Sequence, residues 1–263
     1  MSSKIDRFHE LHRTGCFVIP NPWDIGSARI LATLGFPALA TTSSGFAWTL
    51  GRRDNHVTLE EVLAHLRAMA SSVDVPLNAD FEGGFAVDPE DVARNVTAAC
   101  ATGIAGLSIE DSVKDGSGLF DFDLAVARVR AARAAIDKSG SGVLLTARTE
   151  FADHAWPERL RRLQAFAAAG ADCLFAPGLT TIDEVKAVVK AVSPEPVNVL
   201  VGSDFTTLAE LKASGVRRIS VGGALARTGW AAVIAAATEI AEKGTFTGLS
   251  RAIPGAELQK RFF

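Results

Sequence analysis

The amino-acid sequence predicts an α/β protein folded as a (β/α)8 TIM barrel, in a single domain that spans residues 1–263. Eight short apolar runs alternate along the chain with amphipathic helical patterns. The strand-like runs are apolar on both faces, which is typical of a parallel sheet covered by helices. Eight strand–helix units in a chain of this length favour a closed barrel, and a doubly wound open sheet is the second possibility.

The positions of the elements follow from these patterns and from the signals at their ends. The predicted strands are 16–20, 37–42, 75–80, 105–111, 142–148, 171–177, 197–202 and 217–223. Several helices begin at residues whose side chains cap helix N-termini, namely Thr58, Asp88, Thr181 and Thr206. Several end at glycines, which tolerate the left-handed conformation after a helix: Gly35, Gly103, Gly140, Gly170 and Gly215. No Pro- or Ser-rich linker divides the chain.

The amino-acid composition limits the kinds of partner that this protein is expected to bind. The 27 Lys and Arg residues against 30 Asp and Glu residues give a net charge of −3 without a basic cluster, which argues against nucleic-acid binding. No apolar run reaches transmembrane length, so we expect no membrane interaction. Cys16, Cys100 and Cys173 form no close pair, and the polar first residues do not resemble a signal peptide. A cytoplasmic protein with reduced thiols is therefore expected.

Polar residues cluster at one end of the predicted barrel. In (β/α)8 enzymes the active site is built from the carboxyl ends of the strands and the loops that follow them. Here those positions, together with the seventh strand, carry Asn21, Asp24, Thr42, Ser43, Ser44, Gly45, Asp80, Glu82, Glu110, Asp111, Arg148, Thr149, Glu150, Asn198, Gly222 and Gly223. The loops at the opposite end are mostly Gly, Ala, Ser and Pro. This asymmetry indicates an enzyme.

Four carboxylates, Asp80, Glu82, Glu110 and Asp111, are expected to converge at one rim. Several acids in one concavity need a cation to offset their repulsion. Because no Cys or His set accompanies them, the all-oxygen ligands indicate Mg2+ or Mn2+. We expect Asp80 to bind the ion directly, and Glu82 and Glu110 to act partly through water. The alternative is that these residues are solvated loop acids or charges at helix N-termini.

Arg148 ends a strand, LLTAR, that is otherwise apolar. A guanidinium group at this position is either a buried partner for Glu110 or Glu150, or a clamp on an anionic substrate, and the two roles can coexist.

A Ser-rich segment follows the second predicted strand. The backbone N–H groups of Ser44, Gly45 and Phe46 can form a nest for a carboxylate or an oxyanion, and a plain turn is the alternative. We expect residues 46–55 to form a loop that closes over the site.

Four segments together resemble the isocitrate lyase/phosphoenolpyruvate mutase superfamily: IPNPWDIGSARILATLGFPALATTSSG, NADFEGG, LSIEDS and LTARTE. The similarity runs from about Gly15 to Arg227. The resemblance implies a (β/α)8 barrel whose eighth helix is often swapped between subunits, so a homo-oligomer, either a dimer or a homotetramer, is expected. It also implies Mg2+ or Mn2+ as the cofactor. The implied substrates are small 2-oxo or enol(ate) acids, in which a C–C or P–C bond next to the carbonyl is made or broken.

The resemblance also implies roles for individual residues. The matched positions are, for the metal, Asp80, Glu82 and Glu110, and, for the substrate carboxylate, Arg148 with the backbone of Ser44, Gly45 and Phe46. Glu82 stands where an Asp is usual in the family, so its side chain is one methylene longer. Asp54 resembles the Asp of a gating segment, and Asn198 matches an Asn that lines the site in several lyases.

Two segments depart from the family pattern. The lyases carry Lys-x-Cys-Gly-His after the fourth strand, with the Cys as proton donor, whereas SVKDGSGLFD at residues 112–121 has neither Cys nor His and keeps Lys114. The Glu that the lyases place after the sixth strand is replaced by FAPG at residues 175–178. Neither a tricarboxylate lyase with the usual acid nor a mutase is therefore favoured.

These observations predict a Mg2+-dependent lyase that acts on a small 2-oxo or 2-hydroxy di-acid. It is expected to break a C–C bond next to a metal-chelated carbonyl through an enolate, like oxaloacetate decarboxylases, oxaloacetate hydrolases or small-diacid lyases. Arg148 is expected to hold the carboxylate, and Asp54 or Lys114 to handle protons. The alternatives are a phosphoenolpyruvate or carboxyphosphonoenolpyruvate mutase and a non-catalytic barrel that only binds a ligand.

Overall fold

A computed structural model describes residues 2–114, 116–150 and 156–262. Within them, eight parallel strands form one sheet: β1 Phe17–Ile19, β2 Leu39–Ala40, β3 Leu77–Asp80, β4 Gly106–Glu110, β5 Leu144–Arg148, β6 Cys173–Phe175, β7 Val197–Leu200 and β8 Arg218–Ser220. The strands pair in the order β1-β8-β7-β6-β5-β4-β3-β2. Across the seam between β1 and β2, the Ala40 N–H donates to the Pro20 carbonyl at 3.1 Å. The sheet thus curls into a nearly closed barrel, which confirms the predicted fold.

Helices surround this sheet. Their bounds are α1 Lys4–Arg13, α2 Ile25–Thr33, α3 Ser43–Thr49, α4 Leu59–Ser72, α5 Pro89–Cys100, α6 Phe122–Ser139, α7 Trp156–Ala168, α8 Ile182–Val192, α9 Leu208–Ala213, α10 Ala224–Lys243 and α11 Gly255–Gln259. A 3₁₀ turn, Thr247–Arg251, lies between the last two. None of the described helices is long and apolar enough to span a membrane.

The ends of the elements largely follow the predicted signals. The strands are shorter than the predicted runs, because the runs included residues that leave the sheet; Thr42, for example, is the N-cap of α3. The predicted N-caps confirmed by the structure are Thr58, Asp88 and Thr181. The prediction of Thr206 is wrong: the hydroxyl of Thr207 accepts the N–H of Glu210 at 3.3 Å, so Thr207 caps α9. All five predicted helix-terminal glycines have positive φ.

Helix α1 closes the floor of the barrel, at the amino-terminal ends of the strands. Phe8 is fully buried there, with its ring centroid 6.5 Å from that of Phe17. A Cβ atom on Gly106 would lie 2.5 Å from Phe8 Cε1, so the ring fits only because this residue of β4 is a glycine. His12 packs edge-on against Phe8 and Phe17, at 4.6 and 5.1 Å between ring centroids. The plug is therefore aromatic and tightly packed.

Helix α10 stands away from the barrel. A helix that follows a barrel strand usually packs over the sheet, yet Ala226 alone is buried among the residues of α10, all of which are described. Trp230, Val233 and Ile234 are 42%, 56% and 62% exposed. Its first turn reaches α3, where a Cβ on Gly45 would lie 3.7 Å from Ala226 Cβ. The rest of α10 presents apolar side chains away from its own barrel.

The environment of His12 makes stability depend on pH. Burial, and then the nearby Arg218 guanidinium, lower the pKa of His12 from 6.5 to about 3. Below pH 6.5 the unfolded chain takes up a proton that the folded chain does not, so this contribution to stability is lost as the pH falls. We expect a change from about pH 7 to about pH 4.5 to lower the free energy of unfolding by about 2 kcal/mol more in the wild type than in His12→Gln.

Urea denaturation at both pH values measures this difference. His9→Gln, a change at a histidine on the same helix, serves as the matched control and should retain the wild-type pH dependence. If His12→Gln lost as much stability on acidification as the wild type, His12 would not be the neutral, buried group described here.

Candidate active site

A cleft opens at the carboxyl ends of the strands. Its volume is about 140 Å³, which suits a small organic acid and lies below the roughly 300–1,000 Å³ of sites for drug-sized ligands. Its lining includes Thr42, Ser43, Ser44, Asp54, Asp80, Arg148, Asn198, Gly222 and Gly223. Five of the residues predicted for the site, Ser44, Asp54, Asp80, Arg148 and Asn198, thus meet in one cleft.

Arg148, the last residue of β5, lies among carboxylates. Its Nη1 is 3.3 Å from Glu110 Oε2 and 3.6 Å from Asp80 Oδ1, and its Nε donates to Glu150 Oε1. Burial alone would lower the pKa of Arg148, but the three carboxylates, led by Glu110, raise it above its ordinary value. The guanidinium group is therefore permanently charged and held at the cleft wall, so both predicted roles, ion pairing and carboxylate binding, are open to it.

Asp80, the last residue of β3, is held by the neighbouring strand end. Its backbone N–H donates to Thr41 Oγ1 at 2.9 Å, and its Oδ2 accepts the Ser43 N–H at 2.9 Å. These bonds join the end of β3 to the start of α3. The remaining oxygen, Oδ1, is the one near Arg148. The carboxylate is thus fixed in the wall of the cleft.

Glu82 and Glu110 line a neighbouring cavity of about 300 Å³ that also contains Phe85 and Lys114. Glu82 has a φ of 45°, unusual for a residue other than glycine. Its Oε1 is buried and has no hydrogen-bond partner among the described residues, while its Oε2 lies 3.9 Å from Lys114 Nζ. Burial raises the pKa of Glu82 to about 8 and the pKa of Glu110 to about 7. The nearest cations, Lys114 for Glu82 and Arg148 for Glu110, lower these pKa values but do not outweigh the effect of burial.

The loop that carries Glu82 is anchored by Arg128. This guanidinium donates to the carbonyl groups of Gly83 and Ala86, and to that of Val87 at 2.9 Å. It also lies 4.0 Å from the centre of the Phe120 ring. A buried arginine on α6 thus holds the backbone that presents Glu82 in its left-handed conformation.

The acids fit a hard divalent cation in chemistry, although they are not gathered around a single point. Within residues 2–114, 116–150 and 156–262, no group of three or more His, Cys, Asp or Glu side chains is arranged to hold a metal ion. The donor set of Asp80, Glu82 and Glu110 is nevertheless all oxygen, which Mg2+ and Mn2+ prefer. The unpartnered Glu82 Oε1 supplies a buried acceptor in need of a positive partner. The assignment of Asp80, Glu82 and Glu110 as metal ligands therefore remains a prediction, and the chemistry of their side chains is compatible with it.

The Ser44–Phe46 segment is the first turn of α3 rather than a loop. The Phe46 N–H donates to the Thr42 carbonyl at 3.0 Å, and the Gly45 N–H lies 3.4 Å from Thr42 Oγ1. A Cβ on Gly45 would lie 2.6 Å from Thr42 Cγ2, so this turn requires glycine. The expected closing loop of residues 46–55 is helical as far as Thr49, because the N-cap at Thr42 starts a helix in this segment.

The two candidates for proton handling lie on different sides of the acids. Asp54 lines the cleft, and partial burial and then Asp80 raise its pKa. Lys114 is exposed; its Nζ donates to the Val57 carbonyl at 3.2 Å and lies in the wall of the neighbouring cavity. In the 112–121 segment that carries Lys114, Ser112 and Leu119 form a single antiparallel bridge, and Asp115 lies outside the described residues.

Asp111 does not join the other acids, contrary to expectation. Its carboxylate accepts hydrogen bonds from Thr149 Oγ1 at 2.8 Å, from the Glu150 N–H at 2.9 Å and from Arg162 Nη1 at 3.1 Å. Successive side chains along an extended chain point to opposite faces, so Glu110 and Asp111 cannot both face the cleft. Asp111 is a buried structural acid that ties the end of β4 to β5 and α7.

The sequence interpretation missed the lower wall of the cleft. Asn78, Ser108, Arg218 and Ser220 line it from inside the barrel. A charged residue within an otherwise apolar strand was the available signal for Arg218. Two arginines, Arg217 and Arg218, precede the apolar residues of β8, and the strand register needed to choose between them comes from the structure.

The sequence model of the phosphoenolpyruvate phosphomutase family matches residues 8–241 of the chain. This protein belongs to the isocitrate lyase/phosphoenolpyruvate mutase superfamily. The resemblance read from the four segments is thereby confirmed.

Individual members of the superfamily match over much of their length. An oxaloacetate decarboxylase of Paraburkholderia xenovorans strain LB400 is 33% identical over 193 residues, which cover 69% of this chain and 63% of that enzyme. A Burkholderia cenocepacia J2315 structure, provisionally described as a lyase or mutase, has a TM-score of 0.94 at 41% identity over 98% of this chain and 95% of that one. A structure of 2,3-dimethylmalate lyase has a TM-score of 0.88 at 27% identity, covering 99% and 95% of the two chains.

Replacing Asp111 tests its structural role. Asp111→Asn removes the charge that faces buried Arg162, and we expect a loss of about 3–5 kcal/mol in the free energy of unfolding. Glu158→Gln is the matched control, because Glu158 contacts the same arginine at 3.1 Å but is 32% exposed. There we expect a loss below about 1 kcal/mol. Urea denaturation measures both, and similar losses in the two variants would contradict this assignment.

Proposed function

We propose that this protein is a Mg2+- or Mn2+-dependent carbon–carbon lyase that acts on a small 2-oxo or 2-hydroxy di-acid. One observation carries the proposal: Arg148, an anion-binding group, lies within 4.0 Å of Asp80 and Glu110 at the mouth of the barrel. Arg148 suits an anion, and the two carboxylates beside it suit a cation. Together they fit a ligand in which a carboxylate stands next to a carbonyl oxygen that a metal ion can bind. The relatives named for oxaloacetate and for 2,3-dimethylmalate support a di-acid substrate.

Asp80, Glu82 and Glu110 are the residues that would hold the ion. When bound, a divalent ion supplies positive charge beside the carboxylate and carbonyl oxygens of the substrate. Asp80 is the fixed member of the set, because the Ser43 N–H and the Thr41 hydroxyl hold it in place. The longer side chain of Glu82 allows it to act through water.

Arg148 binds and orients the substrate carboxylate in this proposal. Its planar fork matches a carboxylate with two parallel hydrogen bonds. The same fixed charge lowers the energy of the enolate that remains when the neighbouring bond breaks. We assign further substrate contacts to Ser44, at the wall formed by α3, and to Asn198 deeper in the cleft. The N–H groups of Gly45 and Phe46 are directed to Thr42, so the expected nest of backbone donors is not available at these two residues.

Two groups are assigned to proton handling. The Asp54 carboxyl group lies in the cleft, where burial and then Asp80 raise its pKa. Lys114 Nζ lies beyond Glu82, so it reaches a ligand only from the neighbouring cavity. Residues 50–57, between α3 and α4, carry Asp54, and movement of this segment over the cleft would exclude water.

A phosphonate mutase is the second candidate, because the matching family model is that of phosphoenolpyruvate phosphomutase. Turnover of phosphonopyruvate, without turnover of any di-acid, would favour it. A barrel that only binds its ligand is the remaining alternative. Tight oxalate binding without turnover of either substrate class would support that alternative.

Removal of Asp80 tests the proposed metal-dependent activity. We expect Asp80→Ala to lower kcat/KM for the active di-acid by about 10²–10³-fold, since it removes the fixed ligand of the charge-stabilising ion. Exposed Asp123, in the first turn of α6, provides the control variant Asp123→Ala, which should retain full activity. The assay uses oxaloacetate and malate-type di-acids with added Mg2+, before and after treatment with a chelator. Turnover that survives both chelation and Asp80→Ala would contradict the proposed function.

We also infer that α10 packs against a second copy of this chain, so that the protein is a homodimer or homotetramer. Trp230, Val233 and Ile234 are exposed on α10. Ile25 on α2 and Leu208 on α9 are likewise 41% and 53% exposed. In a (β/α)8 barrel the helix that follows the last strand packs between such neighbours. Exchange of α10 between two chains covers both apolar surfaces.

Charge insertion on α10 tests this assembly. We expect the wild type to sediment as a dimer or tetramer, and Val233→Glu/Ile234→Glu to sediment as a monomer, because carboxylates are unfavourable in an apolar interface. Lys260→Glu, at the exposed residue that follows α11, changes the net charge by the same amount and should leave the assembly intact. A monomeric wild type at micromolar concentration would overturn the inference.

A further inference from the structure

Arg218, the first residue of β8, lies inside the barrel and lines the floor of the cleft. It is only 3% exposed. Its Nε donates to Asn198 Oδ1 at 2.9 Å, and its Nη2 donates to Thr146 Oγ1 at 3.0 Å. Its Nη1 lies 3.5 Å from Asn78 Oδ1. All of these acceptors are neutral oxygens.

The group beneath Arg218 is neutral as well. Arg218 Nη1 lies 3.4 Å from His12 Nε2, while the other ring nitrogen, Nδ1, lies 2.8 Å from the Phe8 carbonyl oxygen. Nδ1 must carry the hydrogen to make that bond, so Nε2 is the acceptor for Arg218. With a pKa of about 3, His12 is uncharged at neutral pH.

No carboxylate balances the charge of Arg218. Within the described parts of the chain, no Asp or Glu oxygen lies within the 4.0 Å of an ion pair from its guanidinium group. Arg148, by contrast, has three carboxylates within that distance. Arginine keeps its proton even when it is buried, and a buried cation without a counter-ion is unfavourable. An anion that enters the cleft would supply the missing charge.

The two arginines lie at different depths of the same cleft. Thr146, which accepts the hydrogen bond from Arg218, stands two residues before Arg148 on β5. The side chains of Thr146 and Arg148 therefore point to the same face of the sheet, about 7 Å apart along the strand. The wall between these levels is polar and includes Ser108 and Ser220. The cleft thus has one cation at its mouth and a second at its floor, a separation that a short di-acid can span.

We propose that Arg218 is a second carboxylate subsite, which binds the distal carboxylate of the di-acid inside the barrel. The inference rests on the proposed function for placing the first carboxylate, next to the reacting carbonyl, at Arg148. The fragment that leaves when the bond breaks then keeps its carboxylate on Arg218. Asn198, which borders the same part of the cleft, holds the guanidinium in place: its Oδ1 accepts from Arg218, and its Nδ2 donates to Ser220 Oγ at 2.9 Å.

A purely structural role for Arg218 would tie β8 to β5 and β7 through the same hydrogen bonds. Such a role does not depend on the charge of a ligand. The subsite, in contrast, requires that the protein distinguish a distal carboxylate from an uncharged group of the same shape, and that this discrimination depend on Arg218. Ligand pairs that differ only in the distal group therefore separate the two roles.

The experiment compares malate with its 4-amide, and both with oxalate, by calorimetric titration in the presence of Mg2+. Oxalate has no carboxylate beyond the adjacent pair that would face the ion and Arg148 in the proposed function, so it serves as the ligand for the mouth alone. We expect the wild type to bind malate at least about tenfold more tightly than the amide, which is the scale of one charged hydrogen-bonded pair. In Arg218→Gln this preference should disappear, while oxalate affinity stays within about twofold of the wild-type value. Arg217→Gln, a matched change at the half-buried neighbour, should keep the preference.

The outcomes separate this inference from the proposed function. Equal binding of malate and its amide by the wild type overturns the subsite, and so does a preference that survives in Arg218→Gln. If wild type does not bind oxalate, the proposed function fails and the subsite fails with it. Should Arg218→Gln not fold, Arg218→Lys retains a cation at the floor and must retain a preference for malate. A loss of discrimination in a folded Lys variant that still binds oxalate would count against a charge-based subsite.

Discussion

The charge balance around Arg148 is the constraint on which the candidate site depends. One guanidinium group lies within 4.0 Å of carboxylates from Asp80, Glu110 and Glu150, so negative charge is in excess even before Glu82 is counted. Burial raises the pKa of Glu82 to about 8 and that of Glu110 to about 7. These acids hold protons near neutral pH unless a cation compensates them. In the proposed function a divalent ion removes the excess, and Arg148 becomes available to the substrate carboxylate.

The balance of charge differs between the mouth and the floor of the barrel. The mouth has more carboxylates than cations, whereas the partners of Arg218 at the floor, among the residues that the structure describes, are neutral. The floor stays closed because Phe8 and His12 of α1 fill it, which the absence of a side chain on Gly106 permits. A di-acid with a metal-binding end and a free carboxylate matches both levels at once. In the proposed function, the reacting end of the ligand therefore faces the mouth.

The sequence was sufficient for the fold because the alternation of strands and helices repeats eight times, and each repeat is marked by its own caps. It also located the cleft, since polar residues follow the strands at one end of the barrel only. The sequence did not predict the direction in which each side chain points. Glu110 and Asp111 are adjacent, and only the strand register shows that Asp111 turns away to Thr149 and Arg162.

Two further features also could not be predicted from local sequence patterns, because they depend on where each side chain lies in the folded chain. Arg217 and Arg218 are adjacent and chemically identical, yet one contacts the Gly15 carbonyl and the other lies in the barrel interior. The apolar face of α10 has the same local pattern whether it packs on its own barrel or on another chain, so only the family resemblance led us to expect an exchanged helix. Both depend on three-dimensional placement and not on local composition.

The most direct test of the central claim is the binding of a divalent ion at Asp80, measured by titrating the protein with Mn2+ and recording the free ion by electron paramagnetic resonance. The account expects one tightly held ion per chain in the wild type, retained in Asp123→Asn and lost in Asp80→Asn. Absence of binding at millimolar Mn2+, or unchanged binding in Asp80→Asn, would show that these acids do not form the metal site.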